Sequence, residues 1–290
     1  MEVFAPAKIN LTLHVVGQRS DGYHLLDSLV AFATVGDQLR ARLGDGFSLE
    51  MQGPEAATVP KDVSNLILQA ANLFDQLPGA SFHLVKNLPV SSGIGGGSAD
   101  AAATYRALSV VAGEAGVQIP ASETLLKLGA DVPMCLTSAA ARVGGIGERI
   151  TPMESLPALP ALLVNPRLEI STPTVFKAMT ARQNMPMPQN LPTFRDAGDL
   201  ATWLRGQRND LEPAASQLVP TIGIVKIAIS TQPDCLLSRM SGSGATCFGL
   251  FPTISAAQNA AAAISRSYPD WWVKPTELGT QTERAQPRPS

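Results

Sequence analysis

From Ile9 onward apolar and polar side chains alternate. Ile9, Leu11, Leu13 and Val15 fall on one face and Lys8, Asn10, Thr12 and His14 on the other, which predicts a strand with one chemical face. Residues 18–24 (QRSDGYH) read as a turn, and LLDSLVAF, DQLRARL and FSLEM as further strands with short connections. Leu66, Ala70, Leu73, Phe74 and Leu77 recur at helical spacing across 65–77, and SFHLVK (81–86) alternates as a strand. A helix is expected over 98–111, stopped by Gly113, and another from Ser122 to Gly129. Pro133 biases Val132 toward extended geometry, which predicts that Asp131 sits at a helix-to-strand junction. In the second half, PALLVNP (160–166) reads as a buried strand and Thr172 with Pro173 opens a short helix. QNMPMPQNLP is too proline-rich for regular structure and is expected to be mobile; TIGIVKIAI is helical. SRMSGSGATCFGLF reads as strand, glycine turn and strand, followed by a helix from Ser255 and a last strand at WWVK. The fold class is α+β. The proline-punctuated stretch 151–160 is the candidate linker, giving units over 1–157 and 158–278 and a polar, proline-containing tail over 279–290 expected to be disordered.

Between the strand at 81–86 and the alanine-rich helix lies LPVSSGIGGGSADAA, with Gly93, Gly95, Gly96 and Gly97 leading into Ser98. Backbone amides can crowd an anion only where no Cβ intervenes, and a helix N-terminus adds partial positive charge, so this loop is a candidate phosphate cradle. A tight turn of purely structural meaning is the plainer alternative. Walker-type loops need a Gly-Lys dipeptide, and the chain has none. A dinucleotide fingerprint would need glycine at position 98, which is serine, and the protein-kinase signatures H-R-D and D-F-G are absent.

A formal net charge of −2 and the lack of any long basic run give no footprint for nucleic acid or anionic membrane, so an anionic ligand must be met locally. Cys135, Cys235 and Cys247 are far apart and form no C-x-x-C pair, which suggests neither a disulfide framework nor a zinc site. The N-terminus lacks a basic region and an apolar signal core, so a cytoplasmic location is expected.

The glycine loop, APAKINLTL, DGYHLL, LGADVP, NDLE and SRMSGSGATCFGLF together resemble, in order and spacing, the superfamily of galacto-, homoserine, mevalonate and phosphomevalonate (GHMP) kinases. PAKINL with GYH points to members acting on a cytidine-diphosphate-bearing methylerythritol. The resemblance implies a two-domain GHMP kinase fold, an N-terminal ribosomal-protein-S5-domain-2-like unit and a C-terminal ferredoxin-like unit with the site between them. It implies ATP held by Pro89, Val90, Ser91, Ser92, Gly93, Ile94, Gly95, Gly96, Gly97 and Ser98, with Asn65 and Lys86 at the adenine nucleoside. It implies that Lys8 and Asp131 activate an acceptor hydroxyl, with Asn10 beside them. Tyr23 would stack on cytosine, His24 bond its edge, and Ile146, Thr172, Pro173 and Phe176 line the same pocket. Taken alone, Asp131 reads more readily as a turn residue and Lys8 as a strand-edge lysine, while Ile146 and Phe176 read equally as core. Ser241 and Ser243 stand where threonine is common in the family, and SGSGA (241–245) is either a second anion-facing loop or a hairpin turn. Mg²⁺ is expected from the charge of the triphosphate, with Ser98 and solvent as candidate ligands. The expected reaction is phosphorylation of the 2-hydroxyl of the methylerythritol moiety, with a cytidine-diphosphate-bearing small molecule as partner and a weak homodimer left open. Another kinase of the superfamily, of mevalonate or homoserine type, and a non-catalytic nucleotide-binding protein are the rival readings.

Overall fold

The computed structural model describes every residue except 154 and 290. The first unit contains β1 (Glu2–Asn10), β2 (His14–Gln18), β3 (His24–Leu43), β4 (Gly46–Gln52), α1 (Leu66–Ala71), β5 (Gly79–Val85), α2 (Gly96–Glu114), α3 (Val132–Thr137), β6 (Ala141–Gly145) and β7 (Arg149–Pro152). The second contains β8 (Leu159–Asn165), α4 (Thr172–Ala178), α5 (Ala197–Leu204), α6 (Glu212–Leu218), α7 (Thr221–Ser230), β9 (Leu237–Met240), β10 (Cys247–Leu250), α8 (Ile254–Ser267) and β11 (Trp272–Gly279).

The spine is β3, where the sequence reads as two strands. Its first part pairs antiparallel with β2 and β6, its remainder with β1 and β5. Gly36 permits the continuity: a Cβ there would lie 2.3 Å from the Ala5 carbonyl oxygen, opposite the point where Pro6 cannot donate to the ladder. In the second unit the strand order β11-β8-β10-β9 is fully antiparallel, with α7 and α8 contributing apolar residues to the core beside it. Numbered within that unit the order is 4-1-3-2, the ferredoxin-like arrangement. The sheets fuse where Leu278 and Gly279 of β11 pair with Ala33 and Phe32 of β3.

Three apolar clusters follow from this layering. One packs α1 and α2 on the first sheet, where alanines at 99, 101, 102, 103, 107 and 112 let α2 lie close to the strands. A second lies under α6, α7 and α8. The third joins Ile9, Leu11 and Ile94 of the first unit to Leu163, Phe248 and Trp272 of the second, so the junction is itself core.

Several local expectations change. The strand predicted through Val15 breaks after Asn10, because Leu11 N–H and Thr12 N–H both donate to the Leu29 carbonyl and the chain swings across to donate from Leu13 N–H to the Arg208 carbonyl. The helix over 65–77 ends at Ala71, its later apolar residues Phe74 and Leu77 staying buried through tight turns. Pro133 does not end a helix: it occupies the first turn of α3, where its missing N–H has no partner to lose, so Asp131 is the residue before a helix. The proline-rich loop is tied down, Asn184 N–H donating to the Val15 carbonyl and Met187 N–H to the Asp27 carboxylate. The described part of the tail, 280–289, is ordered too, residue 290 lying outside the described residues. Gln281 N–H donates to the Ser138 carbonyl, Ala285 is buried, the Arg284 guanidinium lies 4.9 Å over the Phe4 ring, and Glu2 and Arg288 exchange backbone hydrogen bonds. Composition made the tail look free; an open edge of β1 gives its backbone partners.

Candidate active site

The glycine loop closes over the junction between the units. Gly95 takes a left-handed φ of 65° immediately before α2, and a Cβ there would meet the Lys8 side chain at 3.3 Å. Gly93 and Gly242 interlock: a Cβ on Gly93 would lie 2.6 Å from the Ser241 carbonyl oxygen, and one on Gly242 2.5 Å from that of Gly93. Ser241 Oγ accepts from Asn10 N–H and donates to the Gly93 carbonyl, which ties β1, the glycine loop and the 241–245 turn together. Ile94 is the exception among the loop residues. Its side chain is buried in the junction core rather than facing the cleft, and its carbonyl accepts from Lys8 N–H, so it anchors the loop instead of lining it.

The cleft has a volume of about 950 Å³ and draws its walls from both units. Lys8 and Asp131, 123 residues apart, meet there with Lys8 Nζ 2.9 Å from Asp131 Oδ2. The lysine side chain is 5% exposed and the aspartate's 39%, so the ammonium is sheltered while the carboxylate remains open to the cleft. Lys8 Nζ also donates to Asn10 Oδ1 at 2.9 Å. The orientation of Asn10 follows from a relay: its amide nitrogen donates to Ser28 Oγ, which donates to the Thr12 carbonyl, leaving the amide oxygen for the lysine. Ser28 lines the cleft and was not legible as a site residue; only its burial as a polar side chain on β3 distinguishes it.

At another part of the cleft the His24 and Phe176 rings stack at 4.5 Å with an interplanar angle of 20°. His24 Nε2 is buried without a hydrogen-bond partner. Burial, with the nearby Arg182 cation, lowers the His24 pKa and favours the neutral ring. Tyr23 is 58% exposed and presents a free face. Ile146, Thr172 and Pro173 line the same cleft, Thr172 sharing a 2.7 Å hydrogen bond with Ser243 Oγ, which links α4 to the glycine turn.

Asn65 and Lys86 also reach the cleft, but with partners of their own. Asn65 caps α1 by accepting from Ile67 N–H and donates to the Pro60 carbonyl. Lys86 Nζ is sealed between Asp37 Oδ2 at 2.5 Å and Asp100 Oδ2 at 2.6 Å. Burial works against its charge but the two carboxylates outweigh it, so its pKa stays raised; Asp100, desolvated and facing Asp37, is pushed up to about 8. Neither aspartate was singled out by sequence reading, although a lone acid inside the alanine-rich α2 demands a partner. His14, which reads as an ordinary strand residue, is buried at the junction, Nε2 accepting from Arg208 N–H and Nδ1 facing the Met185 carbonyl at 3.1 Å. Asn209 binds the 241–245 turn through the Met240 and Gly242 carbonyls, and Asp210 accepts from Val15 N–H.

Among the described residues no group of three or more His, Cys, Asp or Glu side chains could hold a metal ion, and no single helix is long and apolar enough to cross a membrane. Ser98, half-buried in the first turn of α2, lines the cleft with its hydroxyl unengaged.

A glycine cradle feeding a helix, a sheltered lysine against an open aspartate, and a ferredoxin-like second unit define a small-molecule kinase of the GHMP type. Family models agree: GHMP kinases N terminal domain matches residues 65–142 and GHMP kinases C terminal matches 189–270. A homoserine kinase from Cytophaga hutchinsonii shares the fold, with a TM-score of 0.65 at 20% identity over 97% of this chain and 96% of that one. Nearer relatives are more specific. A Roseobacter denitrificans protein named 4-diphosphocytidyl-2-C-methyl-D-erythritol kinase is 58% identical over 99% of this chain and 97% of its own. One of the same name from Paramagnetospirillum magneticum is 48% identical over 94% and 97%. A crystal structure of 4-(cytidine 5'-diphospho)-2C-methyl-D-erythritol kinase superposes with a TM-score of 0.77 at 33% identity, covering 96% of this chain and 99% of that one. The chain belongs to the 4-diphosphocytidyl-2-C-methyl-D-erythritol kinase family.

Proposed function

We propose that the protein transfers the γ-phosphoryl group of ATP to the 2-hydroxyl of 4-diphosphocytidyl-2-C-methyl-D-erythritol, giving ADP and the 2-phosphate, in the cytoplasm and on the non-mevalonate route to isopentenyl diphosphate. The observation that carries this reading is the 2.9 Å contact of Lys8 with the half-open Asp131 directly beside Gly95. An alcohol is a poor nucleophile at neutral pH. Asp131 receives the hydroxyl proton as the new oxygen–phosphorus bond forms and the bond from the γ-phosphorus to the ADP oxygen breaks. Lys8 pairs with that carboxylate and offsets negative charge on the phosphoryl group in transit. The bare amides of residues 93–98 take the triphosphate, with Asn65 and Lys86 at the nucleoside end. Ser98 suits a magnesium ion bound chiefly by phosphate oxygens and water, a hard-cation environment with a single protein hydroxyl. When bound, that ion neutralises triphosphate charge.

The unpartnered His24 edge and the Tyr23 face support a cytosine ring held against Phe176, with Ile146, Thr172 and Pro173 around it. The test is to incubate pure protein with ATP, Mg²⁺ and a panel of cytidylylated and free polyol acceptors while following ADP release. Strict dependence on the cytidylyl group is expected. Equal turnover of mevalonate or homoserine, without competition from cytidine compounds, would instead favour another kinase of the superfamily.

A further inference from the structure

Arg106 lies on α2, is not among the residues that line the cleft, and is buried at 7% exposure. Among the described residues no carboxylate pairs with it; its charge faces carbonyl oxygens alone. Burial lowers its pKa to about 10, which still leaves the guanidinium charged at neutral pH. Keeping an unpaired cation inside a protein is costly unless its donors are well used. Here the two terminal nitrogens are used on two other elements, while Nε is buried without a hydrogen-bond partner. Nη1 donates to the Cys135 carbonyl at 2.8 Å and to the Leu136 carbonyl at 3.1 Å, both among the last carbonyls of α3 that have no helical partner. Nη2 donates to the Phe4 carbonyl of β1 at 3.0 Å.

Each of the three elements joined at this guanidinium carries one part of the site. β1 carries Lys8, four residues beyond Phe4. α2 begins at the glycine loop. α3 follows directly on Asp131, and Cys135 N–H donates to the Asp131 carbonyl at 3.2 Å, so the bond from Arg106 grips α3 one turn from the reactive carboxylate. α3 is only six residues long and has no disulfide to hold its register. A planar fork reaching three carbonyls on two elements is something lysine cannot reproduce.

We infer that Arg106 is a positioning residue for phosphoryl transfer: by clamping the end of α3 and the start of β1 to α2, it fixes the placement of Asp131 relative to Lys8 and the glycine loop. The inference rests on the proposed roles of Lys8 and Asp131. A positional error at such a site is felt in turnover before it is felt in binding, because the hydroxyl and the transferring phosphorus must meet in line.

The test compares Arg106→Lys and Arg106→Ala with Ile264→Ala, a core deletion in α8 on the far unit that supplies a reference loss of melting temperature without touching the clamp. Arg106→Lys, folded by circular dichroism, is expected to lose about tenfold in kcat while KM for ATP and for the cytidylylated acceptor stay within about twofold. Arg106→Ala should lose more and regain part of it in millimolar guanidinium, though not in methylammonium at equal concentration. Ile264→Ala should keep wild-type kcat below its transition. Wild-type kcat in folded Arg106→Lys, or a loss of kcat that Ile264→Ala reproduces at matched melting temperature, overturns the inference. If Arg106→Ala does not fold, Arg106→Lys alone decides it. Asp131→Asn separates the two claims: loss of turnover there with an unaffected Arg106→Lys refutes only the clamp, whereas turnover retained in Asp131→Asn refutes the reading beneath it.

Discussion

Two lysine–aspartate contacts face the same cleft and are built for opposite ends. Lys86 is held by Asp37 and Asp100 with every charged side chain at 5% exposure or less. Lys8 meets a single carboxylate that is 39% exposed. In the first case the charges are enclosed together: Asp37 spends its second oxygen on Asn87 N–H and Leu88 N–H at the entry to the glycine loop, and Asp100 Oδ1 is buried without a hydrogen-bond partner. In the second, one carboxylate oxygen is left over. Sealed charges fix architecture; a charge with a spare lone pair pointing into a cleft can take a proton from something else.

Four outcomes would sharpen or break that contrast, taken in order of free energy. Lys86→Met leaves two carboxylates enclosed together and should cost about 3–5 kcal/mol of folding stability, read by urea denaturation; a change under about 1 kcal/mol would mean the triad is not a sealed structural unit. Asp131→Asn should fold and bind ATP normally by calorimetry yet lose about a hundredfold or more in kcat; near-normal turnover would place the chemistry elsewhere. Tyr23→Ala should raise KM for the cytidylylated acceptor about tenfold, consistent with roughly 1–3 kcal/mol for a stacked base, and leave KM for ATP alone. Set apart from that order, because it is read as a slope rather than as a single free energy, is the pH dependence. Asp100 binds its proton more tightly in the folded chain than in the unfolded one, where an aspartate titrates near its ordinary value. Between that ordinary value and about 8 the native state therefore holds the extra proton, and stability falls as pH rises through this window. Asp100→Asn should flatten that slope in melting curves taken across the same range. A slope unchanged in the variant would assign it to another group.

Much of the site was legible because its local signals are strong. The glycines at 93 and 95–97 can be read without a fold, since few other uses exist for such a cluster before an alanine-rich helix, and Gly95 does take the left-handed turn that only glycine adopts cheaply. Tyr23, His24 and Phe176 were reached only through family resemblance; no spacing rule links a β2–β3 turn to a helix 150 residues away. Ile94 was read as loop and proved to be core, because a motif fixes where the backbone goes more tightly than where each side chain points. The tail was misread for a related reason. Polar, proline-containing composition says that a segment cannot build a core of its own, and is silent on whether an unpaired strand edge awaits it.

What the sequence settled by itself was carried by short-range stereochemistry: the glycines before α2 and the first-turn proline of α4, whereas Pro133, read as an extended-chain signal, opens α3. Which lysine would be enclosed by two aspartates and which would meet the half-open Asp131 was decided only when β1, α2 and α3 packed around β3. Lys8 lies on β1 and Lys86 directly after β5, both with the same charge, and their difference lies in partners contributed by distant segments. Local preferences act over a few residues, whereas the pairing of Lys8 with Asp131 spans 123 and exists only once the topology has closed.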